Sequence, residues 1–172
     1  IFTETQPGFV SLFVGASVAA FLISNLRMTK FIPKTFLGDA GSRLLGFVVV
    51  FLLLGAASGQ VGGTKIIKPA TALFLVGFPL FDMVFTTIRR VMRGKSPFSA
   101  DRTHAHHLLL NLGLSNVKVS AIIVTVNLCI NFFGLILHRS GVAEYYQLAI
   151  FFICFAIYCV VMSQAWLSSE KQ

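Results

Sequence analysis

The sequence predicts an all-α polytopic membrane protein of about five transmembrane helices, with its N-terminus outside and its C-terminus in the cytoplasm. Three observations carry that expectation. Of the 172 residues, 56% are hydrophobic and only 12% charged, roughly half the charge density of a soluble domain. With a mean hydropathy of +0.83, much of the surface needs lipid as its solvent. Apolar runs recur at lengths near the ~20 residues that a spanning helix requires. Finally, the basic residues between those runs are divided unevenly, eleven of the 14 falling on one side.

The runs are 9–26, 44–57, 70–88, 119–137 and 146–167. The first carries Ser11 and Gly15, a small-xxx-small pair suited to close helix approach. It is followed by Arg27, Lys30, Lys34 and Arg43. The second is short and bounded by glycines, and a turn over Gly59–Thr64 leads to the third. Pro79 and Asp82 interrupt the third span. An intramembrane carboxylate is costly, so Asp82 either neutralises an arginine and seats the following loop, with Pro79 supplying a kink, or lines a reaction cavity. The sequence leaves those alternatives even. Asn127 and Asn131 share a face of the fourth span and are expected to bond across helices. Arg139 follows it, beside His138, which reads as an interfacial residue.

Arg89, Arg90, Arg93, Lys95, Arg102 and Lys118 follow the third span, and Lys171 the fifth. Only Lys65, Lys68 and Arg139 lie on the opposite side. The positive-inside rule puts the larger group, and so the loops 27–43 and 89–118, in the cytoplasm. It also accounts for the net charge of +8 without a nucleic-acid partner. Cys129, Cys154 and Cys159 fall in apolar runs without paired spacing and read as buried small residues, neither disulfides nor metal ligands.

The two cytoplasmic loops carry the chemistry. In PKTFLGDAGS, Gly38 and Gly41 bracket Asp39, and Ser42 reads as the N-cap of the next helix. A helix N-terminus favours phosphate, and an exposed carboxylate beside it favours Mg²⁺ carried in by that phosphate. On its own, Asp39 reads equally well as a turn residue. In SPFSADRTHAHHLLL, Asp101 and Arg102 precede His104, His106 and His107. If this segment is helical, His104 and His107 share a face and His106 turns away. Zinc is one reading of HxHH, but helical zinc pairs are commonly four residues apart and no cysteine accompanies these. Histidine and arginine near a diphosphate supply hydrogen bonds and positive charge. An acidic, glycine-bearing loop and a basic, histidine-bearing loop on the same side read as halves of a phosphate–Mg²⁺ site.

FLGDAGS (Phe36–Ser42), PLFD (Pro79–Asp82) and SPFSADRTHAHH (Ser96–His107) together resemble, in order and spacing, the C-terminal half of the polyprenyl-phosphate N-acetylhexosamine-1-phosphate transferases, the MraY/WecA/TagO group. The resemblance covers essentially the whole chain. DRTHAHHLL is closer to the WecA branch, which uses UDP-GlcNAc, than to the MraY branch with its three consecutive histidines.

The resemblance implies an enzyme of the bacterial inner membrane with a cytoplasmic active site. Undecaprenyl phosphate attacks the β-phosphorus of a UDP-N-acetylhexosamine, GlcNAc being favoured, and UMP leaves. The product initiates a lipid-linked glycan of the cell envelope. By the same resemblance Asp39 is a ligand of Mg²⁺ (or Mn²⁺), and Phe36 stacks on uracil. The resemblance makes Asp39, His104, His106 and His107 the catalytic residues and Phe36, Ser42, Asp101 and Arg102 substrate-binding ones, with Arg102 and the three histidines at the sugar-diphosphate end. The family's upstream aspartate pair and NxxNxxDGxDGL segment do not occur here, and the chain opens on Ile1. The expectation is therefore a piece of a longer transferase, inactive alone, with homo-oligomerisation left open. The competing readings are a transporter with a metal or proton site at HxHH, and an assembly subunit whose loops bind another protein.

Overall fold

The computed structural model describes residues 7–25, 35–59, 65–97 and 104–169. Asp101 and Arg102 lie outside them, as does the turn expected at Gly59–Thr64 apart from Gly59. The described residues form seven helices and no strand: α1 (Pro7–Asn25), α2 (Gly38–Ser58), α3 (Pro69–Leu75), α4 (Gly77–Met92), α5 (Ala105–Asn111), α6 (Asn116–Arg139) and α7 (Glu144–Ser169). Among the described residues α2, α6 and α7 are each long and apolar enough to cross a membrane. The pair α3–α4 makes a fourth such span if it is counted as one, and the apolar stretch Ser11–Asn25 is shorter. The chain divides into two compact units, Ile1–Ile67 and Lys68–Gln172.

In the first unit, α1 ends against the segment that leads into α2. The hydroxyls of Ser24 and Thr35 lie 2.9 Å apart, and the Asn25 amide donates to the Thr35 carbonyl at 3.1 Å. These side-chain bonds tie the last turn of α1 to the segment ahead of α2. Helix α2 starts at Gly38, six residues before the apolar run at 44–57, so GDAGS forms its first turns instead of a loop. Gly38 takes φ +67°, a left-handed value open to glycine. Asp39 then lies in the first turn, where a carboxylate suits the helix dipole.

Ser42 is not the N-cap. It sits one turn inside α2, and its hydroxyl donates back to the Gly38 carbonyl at 2.9 Å. At the other end of α2, Gly59 turns left-handed (φ 77°) and its N–H closes on Gly55 at 3.1 Å. The outward face of α2 carries Phe47, 69% exposed, and Leu54, 63% exposed, apolar surface that suits lipid. Nothing among the described residues lies within 4 Å of a Cβ built at Gly15, so the close approach expected at that glycine is not seen there.

The second unit is built around Phe74, which is fully buried. Its ring meets Phe151 edge-on at 5.2 Å and Phe133 at 6.0 Å. Gly134 of α6 lets it in: a Cβ there would stand 2.7 Å from the Phe74 Cγ. Just beyond Phe74 the third apolar run breaks, and α3 and α4 meet at 79°. The break falls at Val76 (φ −116°, ψ 20°), not at Pro79 as the sequence suggested. Pro79 sits in the first turn of α4, where a missing N–H removes no helical bond. At the bend the Phe74 carbonyl accepts the Val76 N–H, and the Asn131 amide, oriented as its neighbours dictate, donates to it at 2.9 Å and to the Asn127 carbonyl at 3.0 Å. Asn131 thus makes the expected cross-helix bond, to backbone.

The α6–α7 turn closes the far end of this unit. The Thr71 hydroxyl donates to Gln147 at 2.8 Å, both side chains being fully buried, and the Gln147 amide donates to the Val142 carbonyl at 2.8 Å. Lys68 Nζ reaches that carbonyl at 2.6 Å. His138 is drawn into the same cluster, its Nδ1 lying 3.4 Å from the Thr71 hydroxyl. It is therefore half-buried rather than simply interfacial. The three cysteines are free, Cys129 exposed and Cys154 and Cys159 half-buried, so none is fully buried as expected.

Candidate functional site

Helix α4 carries Asp82 on its packing face. Phe78, Phe81, Asp82 and Phe85 follow the i, i+3, i+4, i+7 spacing of one helical stripe. The three phenylalanine rings surround Tyr158 of α7, with centroids 6.0, 5.8 and 5.9 Å from it. This apolar collar aims the phenol at the one polar group on the stripe. Tyr158 Oη donates to Asp82 Oδ1 at 2.9 Å.

The same carboxylate anchors the histidine segment. The backbone N–H of Ala105, first residue of α5, donates to Asp82 Oδ1 at 2.9 Å, and His104 Nδ1 lies 2.8 Å from Oδ2. Asp82 therefore caps α5 from another helix, satisfying a donor that the helix start leaves over and matching its dipole. The carboxylate side chain is 14% exposed and the His104 side chain 32%. Of the two sequence alternatives, Asp82 does seat the loop, and among the described residues it does so through a histidine and a backbone N–H.

The histidines are not arranged as a helical face would have them. His104 is extended (φ −66°, ψ 154°) and precedes α5, so the i, i+3 rule does not apply to it. Instead the rings form a row. His104 and His106 lie nearly parallel at 6.0 Å, and His106 and His107 are 4.0 Å apart. His106, expected to turn away, is the middle member. Burial first, then the charges of His107 and His104, hold its pKa below the ordinary 6.5, with Asp82 opposing. Among the described residues, no group of three His, Cys, Asp or Glu side chains is disposed to hold a metal ion.

Basic residues border this end of the unit. The Arg89 guanidinium stands 4.3 Å over the Trp166 ring, and Arg90 Nη1 donates to the Pro97 carbonyl at 2.9 Å. In the first unit, Phe36 is 81% exposed just ahead of α2, and Asp39 is exposed in its first turn. The residues expected to carry chemistry thus fall into two local arrangements, Phe36–Ser42 and Asp82 with His104, His106 and His107. Tyr158 was missed by sequence reasoning. The signal was present: a phenol in an apolar span needs a polar partner, and Asp82 is a carboxylate in another such span.

Comparison with known proteins agrees with the motifs. Over 152 residues the chain is 34% identical to the undecaprenyl-phosphate alpha-N-acetylglucosaminyl 1-phosphate transferase of Yersinia pestis and 35% identical to that of Escherichia coli (strain K12). These matches cover 88% of this chain and 41% of each relative. The protein of the same name from Haemophilus influenzae is 37% identical over 87% of this chain and 42% of its own length. The chain therefore spans about two fifths of the length of the curated relatives it matches. No family profile matches it, and no solved structure matches it. By this relatedness the chain belongs to the family that its motifs resemble, the polyprenyl-phosphate N-acetylhexosamine-1-phosphate transferases.

Proposed function

We propose that this chain forms part of an enzyme that transfers GlcNAc-1-phosphate from UDP-GlcNAc to undecaprenyl phosphate at the cytoplasmic face of a bacterial inner membrane. The reading is supported above all by the names of relatives 34–37% identical over most of the chain. A phosphate oxygen of the lipid attacks the β-phosphorus, a new P–O–P bond forms, the α–β anhydride bond breaks and UMP leaves. Such phosphoryl transfer depends on in-line positioning and charge neutralisation more than on covalent chemistry.

This chain's residues suit that task. His104, His106 and His107, with Arg102, bind the anionic sugar-diphosphate end, and Asp101 orders the same loop. Phe36 offers an exposed ring for the uracil, and Asp39 with Ser42 sits in the first turns of α2. Asp39 is a hard oxygen donor, the type that Mg²⁺ or Mn²⁺ prefers. One carboxylate is too few to hold such an ion alone, so it serves as one ligand of a cation that arrives with the diphosphate. When bound, the cation would neutralise charge on the phosphate oxygens. The chain does not act alone in this proposal, since its relatives supply more than half of their length from elsewhere.

The test is a chimera in which this segment replaces the matching segment of the Escherichia coli relative, assayed for UMP release from UDP-GlcNAc and undecaprenyl phosphate in lipid. The expected result is turnover by the chimera and none by the 172-residue chain alone. A chimera that inserts and unfolds like its parent but forms no UMP would overturn the reading.

A further inference from the structure

Three donors converge on the Asp82 carboxylate, and they divide between its oxygens. Ala105 N–H and Tyr158 O–H both go to Oδ1, each at 2.9 Å, while Oδ2 faces only His104 Nδ1 among the bonds described, at 2.8 Å. A carboxylate has acceptors alone to offer, so the proton of this third bond must sit on the histidine, at Nδ1. The other ring nitrogen, Nε2, then lies on the edge turned away from Asp82, on a side chain one-third exposed and stacked in the row with His106.

From this division of bonds we infer that Asp82, itself steadied by Tyr158, is a positioning residue that fixes the Nδ1–H form of His104 and presents Nε2 to the anionic diphosphate. The inference deepens the functional reading above and rests on it for the identity of the anion. With its Nδ1–H held on Asp82, the ring stands between two anions, substrate on the Nε2 edge and Asp82 on the other. Tyr158 and the Ala105 N–H keep the carboxylate from rotating, so Oδ2 stays on the histidine. The break between α3 and α4 gives this arrangement its own short helix segment, α4, on which Asp82 and the aromatic collar of Tyr158 share one stripe.

Asp82→Asn tests this with little disturbance of shape. Its carbonyl can take the place of Oδ1 and keep both donors there. Its NH₂ then stands where Oδ2 was and opposes an Nδ1 proton, which drives His104 to the Nε2–H form. The chain has four histidines, so ¹⁵N-histidine NMR of the full chain in lipid nanodiscs, assigned with His→Gln variants, reads the tautomer directly. The expected result is Nδ1–H in the parent and Nε2–H in Asp82→Asn, at an unchanged unfolding midpoint. In the active chimera the same substitution should lower kcat on the order of 100-fold while KM moves little. Tyr158→Phe, which leaves Oδ2 intact, should keep the tautomer and cost less. Nε2–H in the parent, or a tautomer switch without loss of kcat, would overturn the proposal. A chimera inactive even with Asp82 in place, alongside the expected tautomers, would count against the transfer reaction and leave the positioning geometry standing.

Discussion

Asp39 and Asp82 are both carboxylates at the start of a helix, yet they are built in opposite ways. Asp39 stands in the first turn of its own helix, exposed, behind a glycine with φ +67°. Asp82 stands in the first half of α4 but serves the start of α5, holding Ala105, His104 and Tyr158 together at 14% exposure. The first arrangement is local and leaves the carboxylate available to a ligand. The second is tertiary and commits the carboxylate to other side chains. A substitution at Asp39 should therefore change chemistry without changing the fold, and one that removes the acceptor at Asp82 should change both.

The largest effect expected from this contrast is on turnover. In the active chimera, Asp39→Asn should lower the rate of UMP release on the order of 10³-fold, the loss expected of an electrostatic contact to the reacting phosphate. The unfolding midpoint in detergent should stay where it was. Unchanged turnover would remove Asp39 from the site. Next comes Asp82→Ala, which leaves the donors of Ala105, His104 and Tyr158 without their acceptor. It should destabilise the second unit by about 3 kcal/mol, measured by denaturant unfolding, whereas Asp39→Ala, which removes only an exposed helix-dipole contact, should shift stability far less.

A smaller effect separates the packing of the two units. Gly134→Ala forces a methyl against the Phe74 ring, where Cγ would stand 2.7 Å away, and should destabilise by about 2 kcal/mol. Gly46→Ala in α2 meets nothing within 4 Å and should be tolerated. Equal costs would show that α2 packs at Gly46 as tightly as α6 does at Gly134. The smallest effect concerns His106. Its pKa lies below 6.5 in the folded chain, so the unfolded chain binds that proton more tightly. Stability is thus fully present above 6.5 and declines as pH falls toward the depressed value. A pH series of unfolding midpoints should show a shallower decline for His106→Gln than for the parent.

Hydropathy made most of the helical architecture legible, because a bilayer demands long apolar runs and closed backbone hydrogen bonds. It misplaced the start of α2, since Gly38, Asp39 and Ser42 are polar or small and read as loop, although they make good first turns. It also missed the break at Val76. Pro79 drew the expected kink to itself, three residues too late; the Phe74 carbonyl at the actual bend takes a bond from Asn131, more than fifty positions downstream. The histidine segment was legible as a site and wrong in its geometry. The i, i+3 rule presupposes a helix through His104, but Asp82 starts that helix one residue later.

What the sequence determined by itself was the solvent, the helical class and the residue types at the site. Composition and spacing encode these directly. Only the tertiary structure decided what Asp82 does. Its role depends on three donors from α5, the residue before it and α7, and their convergence is set by how α4 packs its aromatic stripe against Tyr158. No local rule carries that information, because the partners are 22, 23 and 76 positions away in the chain.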